Sequence, residues 1–492
     1  MTPSATELKR PIAARLGGPR LDATDALSIF LFLLMLIPSD LVVGAFGAAG
    51  RPATLLAAIL LAWYLLVKQH PDADLYRGRQ PVRAASIGLC CSVLASYVSA
   101  SRAMMSGTEI NAANRGLILL AGWLGVMLIA ADGVSDEDRL AVLLRRVVAG
   151  ATIMAVIGFA EFVTGTDLTR YITIPGLAVH QQVTDLMTRA GLIRANSTAA
   201  QPLEFCAVLT MSLPLAIHYA RYSRPGRRRL LSWLQVAVIA ATIPMTVSRS
   251  GIFALIVIAL ILGPAWPARQ RRRAYLALIA IPAALWLAAP GVLHSFTMTF
   301  GQLGTDTSTT SRASAWSLAA PFITAHPWFG QGLGTFDPQT YFYVDDQLVT
   351  SLIETGIIGL LAVLAVFASG WYVTSKVRKG AADTKTRDLG RSLMASLAAA
   401  FICFATFDVL SFSIASGLFF LITGCAGAAW RLTCSPGPAS RSRPLVRACR
   451  LLTRWFDLGC ECYAMRCRVC GELGEGGAPG GGGFGGVARS FQ

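Results

Sequence analysis

The amino-acid sequence predicts an all-α fold: a polytopic integral membrane bundle of about twelve transmembrane helices, with a large external loop before the tenth. Hydrophobic residues make up 54% of the 492 positions and charged residues only 14%. This balance excludes a disordered chain and is unusual for a soluble globular one. The hydrophobic residues fall in blocks of roughly 17–24 with almost no charge, which is the length that a helix needs to cross a bilayer. Lys and Arg gather in alternate loops between these blocks.

The predicted spans are, in chain order, 26–48, 52–68, 84–101, 115–131, 147–164, 203–220, 230–247, 251–267, 274–290, 351–374, 391–408 and 412–431. The first block contains Pro38 and Asp40, is too long for the apolar part of a signal peptide and lacks a small-residue cleavage site. It is therefore predicted to be an uncleaved span.

The formal net charge of +16 raises the question of a nucleic-acid partner. The placement of the charge argues against one, because basic clusters such as those at 227–229 and 271–273 recur in alternate loops, and the intervening loops are nearly free of cations. This is the positive-inside pattern of membrane proteins. It predicts that both chain termini are cytoplasmic and that the partner is the lipid bilayer with its anionic headgroups, not nucleic acid.

Three regions follow from this pattern: a cytoplasmic N-terminal segment (1–25), the transmembrane domain (26–431) and a cytoplasmic basic, Cys- and Gly-rich tail that is predicted to be disordered (432–492). Two external loops, about 165–202 and 291–350, are long, and long connections are usually functional or disordered. The second loop contains a predicted amphipathic helix, 312–326, which His326-Pro327 ends.

Four cysteines of the tail lie within eleven residues: Cys460, Cys462, Cys467 and Cys470. They could ligate zinc, but their spacing matches no pair of CxxC knuckles, so incidental thiols are the favoured interpretation. No metal site and no cofactor are predicted.

Several arginines fall on the external side, which otherwise avoids positive charge: Arg102, Arg115, Arg170, Arg189, Arg194, Arg249 and Arg312. Arg249 lies in "TVSRSGIFALI", a turn of about four residues between two spans, so it stays near the membrane surface. One interpretation is that such arginines reach to lipid headgroups. The other is that several guanidinium groups converge on a phosphate, whose oxygens they match bidentately. Lipid-linked pyrophosphates are the anions expected at the outer surface of a bacterial plasma membrane.

Four stretches resemble the O-antigen ligase and polymerase superfamily of membrane glycosyltransferases: "RANSTAAQPLEFCAVLTMSLPLAIH", "TVSRSGIFALI", "SRASAWSLAAPFITAHPWFGQGLGTF" and "DDQLVTSLIETGIIGL". The resemblance covers most of residues 25–431. In the family's ligases the last stretch reads roughly His-Asn-x-Tyr-Leu-x-x-Leu-x-Glu-x-Gly-x-x-Gly. Counted back from Glu354 and Gly356, Asp345 stands at the His position and Asp346 at the Asn position.

The resemblance implies that undecaprenyl pyrophosphate carries the donor glycan and is the leaving group. Arginines at the outer face would bind it without metal, and an acceptor hydroxyl would attack the anomeric carbon with inversion. The matching arginines are Arg249, Arg312 and Arg194, although Gln201-Pro202 replaces the family's His-Pro after Arg194. Asp345 departs from the ligase pattern. An Asp at this position is similar to the motif of exopolysaccharide polymerases, which favours polymerisation of lipid-linked repeat units.

The acidic residues have two interpretations. Asp345 and Asp346 are candidate catalytic residues, because a carboxylate can accept the proton of an attacking hydroxyl. They are equally candidates for capping the helix that follows, where Asp is favoured. Glu354, inside the span, is predicted to need an arginine or a backbone donor and to support the site. Asp408 is predicted to pair with an outer arginine. Glu204 is predicted to be an acid in the first turn of span six.

Two classes of function compete. An inverting glycosyltransferase, either polymerase or ligase, would have a lipid-linked oligosaccharide donor, a glycan acceptor and other polysaccharide-assembly membrane proteins as partners in the bacterial inner membrane. A transporter or flippase for lipid-linked oligosaccharide would show repeats and broken helices with polar groups at the midplane. The sequence has no evident repeat and concentrates its unusual charge at the outer end, which favours the enzyme. A receptor with an external ligand loop explains the arginines less well.

Overall fold

The computed structural model describes residues 22–69, 75–102, 107–180, 186–189, 192–272, 275–276, 307–336, 341–342 and 344–434. Within these ranges the chain is built from helices, and its strands are two antiparallel pairs of two-residue segments. The predicted all-α membrane fold is confirmed. The predicted cytoplasmic segment 1–25, apart from its last residues, and the tail from residue 435 lie outside the described residues.

The helices follow in chain order: α1 (Ala23–Leu36), α2 (Pro52–Gln69), α3 (Pro81–Ser101), α4 (Gly107–Gly133), α5 (Glu137–Thr164), α6 (Pro202–Tyr222), α7 (Arg227–Met245), α8 (Arg249–Leu262), α9 (Thr307–Ala325), α10 (Gln347–Gly380), α11 (Thr384–Phe404) and α12 (Ser413–Cys434). Seven of them, α2 to α6, α10 and α12, are long and apolar enough to cross a membrane. All the predicted spans but one overlap a helix. The exception, 274–290, lies outside the described residues except for 275–276.

The first predicted span, 26–48, is wrong at its C-terminal end, because α1 ends at Leu36. Pro38 disfavours the helical conformation of the residue before it, and Ile37 is extended (φ −87°, ψ 125°). The chain then forms the strand β1 (Leu41–Val42), which pairs with β2 (Ala178–Val179), and a 3-10 segment, Gly44–Ala49. The C-terminal part of this block is therefore part of a loop layer and not of a helix.

The connections before α2, α6, α8, α10 and α12 meet at one end of the bundle, which we call the long-loop end. His180 N donates to Asp40 O (2.9 Å) and Ser39 N donates to Thr198 O (2.9 Å), so the connection 37–51 packs on the connection 165–201. The hydroxyl of Thr198 donates to Met35 O at the end of α1 (2.7 Å). These bonds join segments about 160 residues apart in sequence, and they bring the external loops of the predicted topology into contact.

The opposite end, where the basic loops lie, is held by buried ion pairs. Asp132 accepts hydrogen bonds from Tyr64 (2.7 Å) and from Arg83 (2.6 Å), which ties α4 to α2 and α3. His218 Nδ1 lies 2.8 Å from Asp388 Oδ2, and Arg221 pairs with the same carboxylate, which ties α6 to α11. Buried charges need such partners.

The helix α10 is broken at Gly356, where φ is +66° and ψ is −168°. The segment Pro327–Gly332 lies in the break. Ile357 N donates to Pro327 O (2.9 Å), and Gly332 N donates to Glu354 O (2.8 Å), so this segment replaces helical bonds of α10. This break differs from the predicted single span 351–374, in which Gly356 follows Glu354 and Thr355 and precedes a long apolar run.

Candidate functional site

Two of the three predicted pyrophosphate-binding arginines lie at the same turn. Arg194 is buried, and its Nε donates to Thr246 O (2.8 Å) in the turn between α7 and α8. Arg249 begins α8 three residues later and is half-buried. Ala195 N donates to Met245 O (3.4 Å) and strengthens the same contact. The segment after Arg194 and the short turn before Arg249, far apart in sequence, are therefore one unit of structure.

The third predicted arginine, Arg312, belongs to α9 by its backbone, but its side chain lies outside the described residues. A helix in this predicted loop is confirmed, but it begins at Thr307, five residues before the predicted start at 312, and ends at Ala325. The predicted stop at His326-Pro327 agrees with this end.

The structure distinguishes the two adjacent acids at the start of α10. Asp346 is the N-cap residue: its Oδ1 accepts from Leu348 N (2.9 Å). Asp345 precedes the cap and is partly exposed, and among the described residues none donates a hydrogen bond to its carboxylate. The capping interpretation therefore holds for Asp346. Asp345 remains the candidate for chemistry.

Asp345 lies in an acidic cluster with Asp408 and Glu354. Gln347 at the start of α10 accepts from Leu410 N (2.6 Å), which brings the connection between α11 and α12 against Asp345. Burial raises the pKa of Asp408 to about 6; the Ser411 hydroxyl lowers it and the negative charge of Asp345 raises it. Three of the predicted site residues are thus neighbours. Because all three are acids, each disfavours the negative charge of the next.

The structure shows the hydrogen-bond partners of two of these acids. The carboxylate of Glu354 is buried and accepts from the backbone N–H groups of Gly334 and Phe336, so the backbone alternative is the correct one. Asp408 accepts from the Ser411 hydroxyl. The predicted pairing of Asp408 with an outer arginine is not found within the described part of the chain.

Glu204 connects the arginine side and the acidic side of the site. It is fully buried; its Oε1 accepts from Ile414 N (2.6 Å) at the start of α12, and its Oε2 accepts from Ala200 N (2.8 Å). The prediction of an acid in the first turn of its own helix is correct, but the N-terminus that this carboxylate satisfies is that of α12.

Sequence reasoning missed Arg51. Its Nε donates to Ser39 O (2.8 Å), and its guanidinium interacts electrostatically with Glu204, Arg115 and Asp40. Burial lowers its pKa, and Glu204 raises it. The signal was present, because Arg51 lies between the first two predicted spans, on the side that otherwise avoids cations.

No group of three or more His, Cys, Asp or Glu side chains that could hold a metal ion occurs in the described ranges. The tail cysteines Cys460 to Cys470 lie outside them. At the long-loop end, the guanidinium groups of Arg194 and Arg249 could bind an anion. The carboxylates of Asp345 and Asp408, next to the start of α12, could accept a proton.

The fold defines a polytopic membrane protein with arginines and a group of acidic residues at one end of its helical bundle. Residues 234–364 match the family model described as O-antigen ligase. This range is about a quarter of the chain and contains most of α7, all of α8 and α9, the first half of α10, Arg249 and Asp345. Over these residues the resemblance to the O-antigen ligase and polymerase superfamily is confirmed. No curated protein matches the chain.

Proposed function

We propose that this protein is an inverting glycosyltransferase that acts on glycan linked to undecaprenyl pyrophosphate at the outer face of the bacterial inner membrane, with both termini in the cytoplasm. The specific reaction proposed is the polymerisation of surface polysaccharide repeat units. The partners are the lipid-linked donor, the glycan acceptor, the bilayer and other membrane proteins of polysaccharide assembly.

One observation carries the proposal: the bond from Arg194 to Thr246 brings two arginines to one short turn at the end of the bundle where Asp345 also lies. Arginines gathered on the side of a membrane protein that disfavours cations are suited to an anionic ligand. A diphosphate fits them, because it accepts bidentate hydrogen bonds and stays charged at every physiological pH.

In this proposal Asp345 accepts the proton of an acceptor hydroxyl as the oxygen attacks the anomeric carbon of the donor sugar. The bond between that carbon and the pyrophosphate oxygen breaks, and undecaprenyl pyrophosphate leaves with the electron pair. Arg194, Arg249 and Arg312 would stabilise the negative charge that develops on the leaving oxygen. No metal is needed for this step.

Two alternatives have a supporting observation. The match to the O-antigen ligase model favours transfer of finished glycan to another acceptor. Asp345, in place of the histidine of the ligase pattern, favours the polymerase. The broken helix α10 is a feature expected of transporters, and it supports a flippase as the candidate from a different class.

A reconstitution experiment distinguishes the three. Purified protein in lipid vesicles is incubated with a synthetic undecaprenyl-pyrophosphate oligosaccharide, and products are separated by length. Longer chains identify a polymerase, transfer only to an added acceptor identifies a ligase, and translocation without new bonds identifies a flippase.

The arginines are tested in the same assay. Loss of one charged bidentate contact is worth roughly 1.5–3 kcal/mol, so Arg249→Ala and Arg312→Ala should each lower the rate at least tenfold. Arg102→Ala is the matched control, because Arg102 is an exposed arginine at the outer end of α3. Wild-type polymer yield in Arg249→Ala would contradict the proposed role.

A further inference from the structure

A buried polar cluster, formed by Glu161, Asn196 and Ser197, lies between the end of α5 and the segment that follows Arg194. Glu161 is fully buried in the last turn of α5. Its Oε2 accepts two backbone hydrogen bonds, from Ser197 N (2.7 Å) and from Asn196 N (3.3 Å). Ser197 is also buried and has a positive φ of 52°, which is uncommon for a residue other than glycine. The backbone at this point is shaped around the carboxylate.

Each of these three residues has a buried oxygen atom without a hydrogen-bond partner in the described structure: Glu161 Oε1, Asn196 Oδ1 and Ser197 Oγ. The amide nitrogen of Asn196 donates to Ala199 O (3.5 Å), which assigns the oxygen as the atom left over. Buried polar atoms in proteins normally have partners, and three on residues that are bonded to one another point to a ligand. Two of the three accept only, so the ligand must supply positive charge or donors.

The charges around the cluster select between these ligands. Besides the backbone N–H groups of Ser197 and Asn196, that of Leu168 also acts on the Glu161 carboxylate, and the charged group that acts on it is Asp167, a second acid. No basic side chain pairs with Glu161 in the described ranges. Asp167 is itself turned towards Thr169, whose backbone N and hydroxyl it accepts from at 2.8 and 2.7 Å. A carboxylate taken out of water without a cation is strongly disfavoured. One carboxylate, one amide oxygen and one hydroxyl are hard oxygen ligands with a total charge of −1, which suits a hard monovalent cation.

We infer that Glu161, Asn196 and Ser197 form a binding site for a sodium ion. The ion fixes the segment 194–198, so that Arg194 meets Thr246 and Thr198 meets Met35. The site is separate from the proposed catalytic residues and does not depend on the proposed reaction.

The test is direct binding of radioactive sodium to the purified full-length protein in detergent, at constant ionic strength kept with choline chloride. The expected result is saturable binding of one ion per chain, displaced by unlabelled sodium and not by choline. Glu161→Gln should weaken binding at least tenfold. Glu137→Gln, which changes an exposed acid at the other end of α5, should leave binding unchanged.

A second variant covers the case in which Glu161→Gln does not fold. Ser197→Ala removes one ligand oxygen and keeps the backbone N–H that donates to Glu161, and it should weaken sodium binding several-fold. If the wild-type protein shows no saturable sodium binding, water or a proton occupies the cluster and the inference is overturned. Equal binding in wild type and Ser197→Ala would overturn it as well.

Discussion

Substitution of Gly356 by alanine should destabilise the protein strongly, because this residue makes the break in α10 possible. Its backbone, at φ +66° and ψ −168°, lies in a region that is essentially restricted to glycine, and an alanine there costs roughly 1–3 kcal/mol. An added Cβ would also overlap the carbonyl group of Trp328. The segment Pro327–Gly332 would then have to move.

That movement would break the bonds from Ile357 N to Pro327 O and from Ile358 N to Trp328 O, each worth about 1 kcal/mol. Together with the backbone strain, Gly356→Ala should cost roughly 3–5 kcal/mol of stability. The thermal unfolding midpoint of the purified protein in detergent is the measurement.

Two glycines serve as matched controls. Gly176 has a φ of +87° and open space where a Cβ would lie, so Gly176→Ala isolates the backbone strain. Gly88 lies within α3, also with open space, so Gly88→Ala should be neutral or stabilising by up to about 1 kcal/mol. If Gly356→Ala unfolds at the same temperature as Gly88→Ala, the broken-helix argument is refuted.

Three further predictions concern the acids. Asp346→Ala removes a helix cap, so it should lower the free energy of unfolding by about 1 kcal/mol and lower the unfolding midpoint accordingly. Asp345→Asn should leave the midpoint unchanged and lower the transfer rate roughly 100-fold or more. An unchanged rate would leave Asp345 without a catalytic role. The pKa of Asp408 is about 6 in the folded protein and has its usual value of 3.8 in the unfolded chain. The folded protein therefore keeps this proton to a higher pH, so stability should fall as the pH rises from about 4 to about 6. Asp408→Asn should therefore stabilise the protein by about 1–3 kcal/mol at pH 7.5 and by much less at pH 4, measured as unfolding midpoints at the two pH values; equal shifts would contradict the raised pKa. Glu204→Gln should cost roughly 1–3 kcal/mol, because the amide nitrogen replaces one carboxylate oxygen and leaves at least one of the three N–H groups now bonded to the carboxylate without an acceptor; an unfolding midpoint like that of Glu137→Gln would speak against this.

The membrane class and most of the helices could be predicted, because hydropathy over a span is an average over many residues and survives local error. The ends were harder. Pro38 ends α1 within the first predicted span, and a single glycine such as Gly356 does not by itself indicate a break in a helix. A broken helix depends on a distant segment that fills the break, and such a contact is absent from local sequence.

The candidate site was predictable in its residue types and not in its pairings. The family-like motifs led to Arg194, Arg249 and Asp345, and the structure brings the first two to one turn. Sequence alone left the division of roles between Asp345 and Asp346 open, since either could cap α10. It could not show that Glu204 serves the N-terminus of α12, because that bond joins positions 210 residues apart.

The bond between Glu204 and Ile414 has a consequence for biosynthesis. The ribosome makes α6 long before α12, so the Glu204 carboxylate enters the nascent bundle without the backbone amides that it later binds. The long-loop end of the bundle cannot reach its final arrangement until α12 has been inserted. Chains that terminate before residue 413 should therefore be recognised as unfinished by membrane quality control, however many helices they already contain.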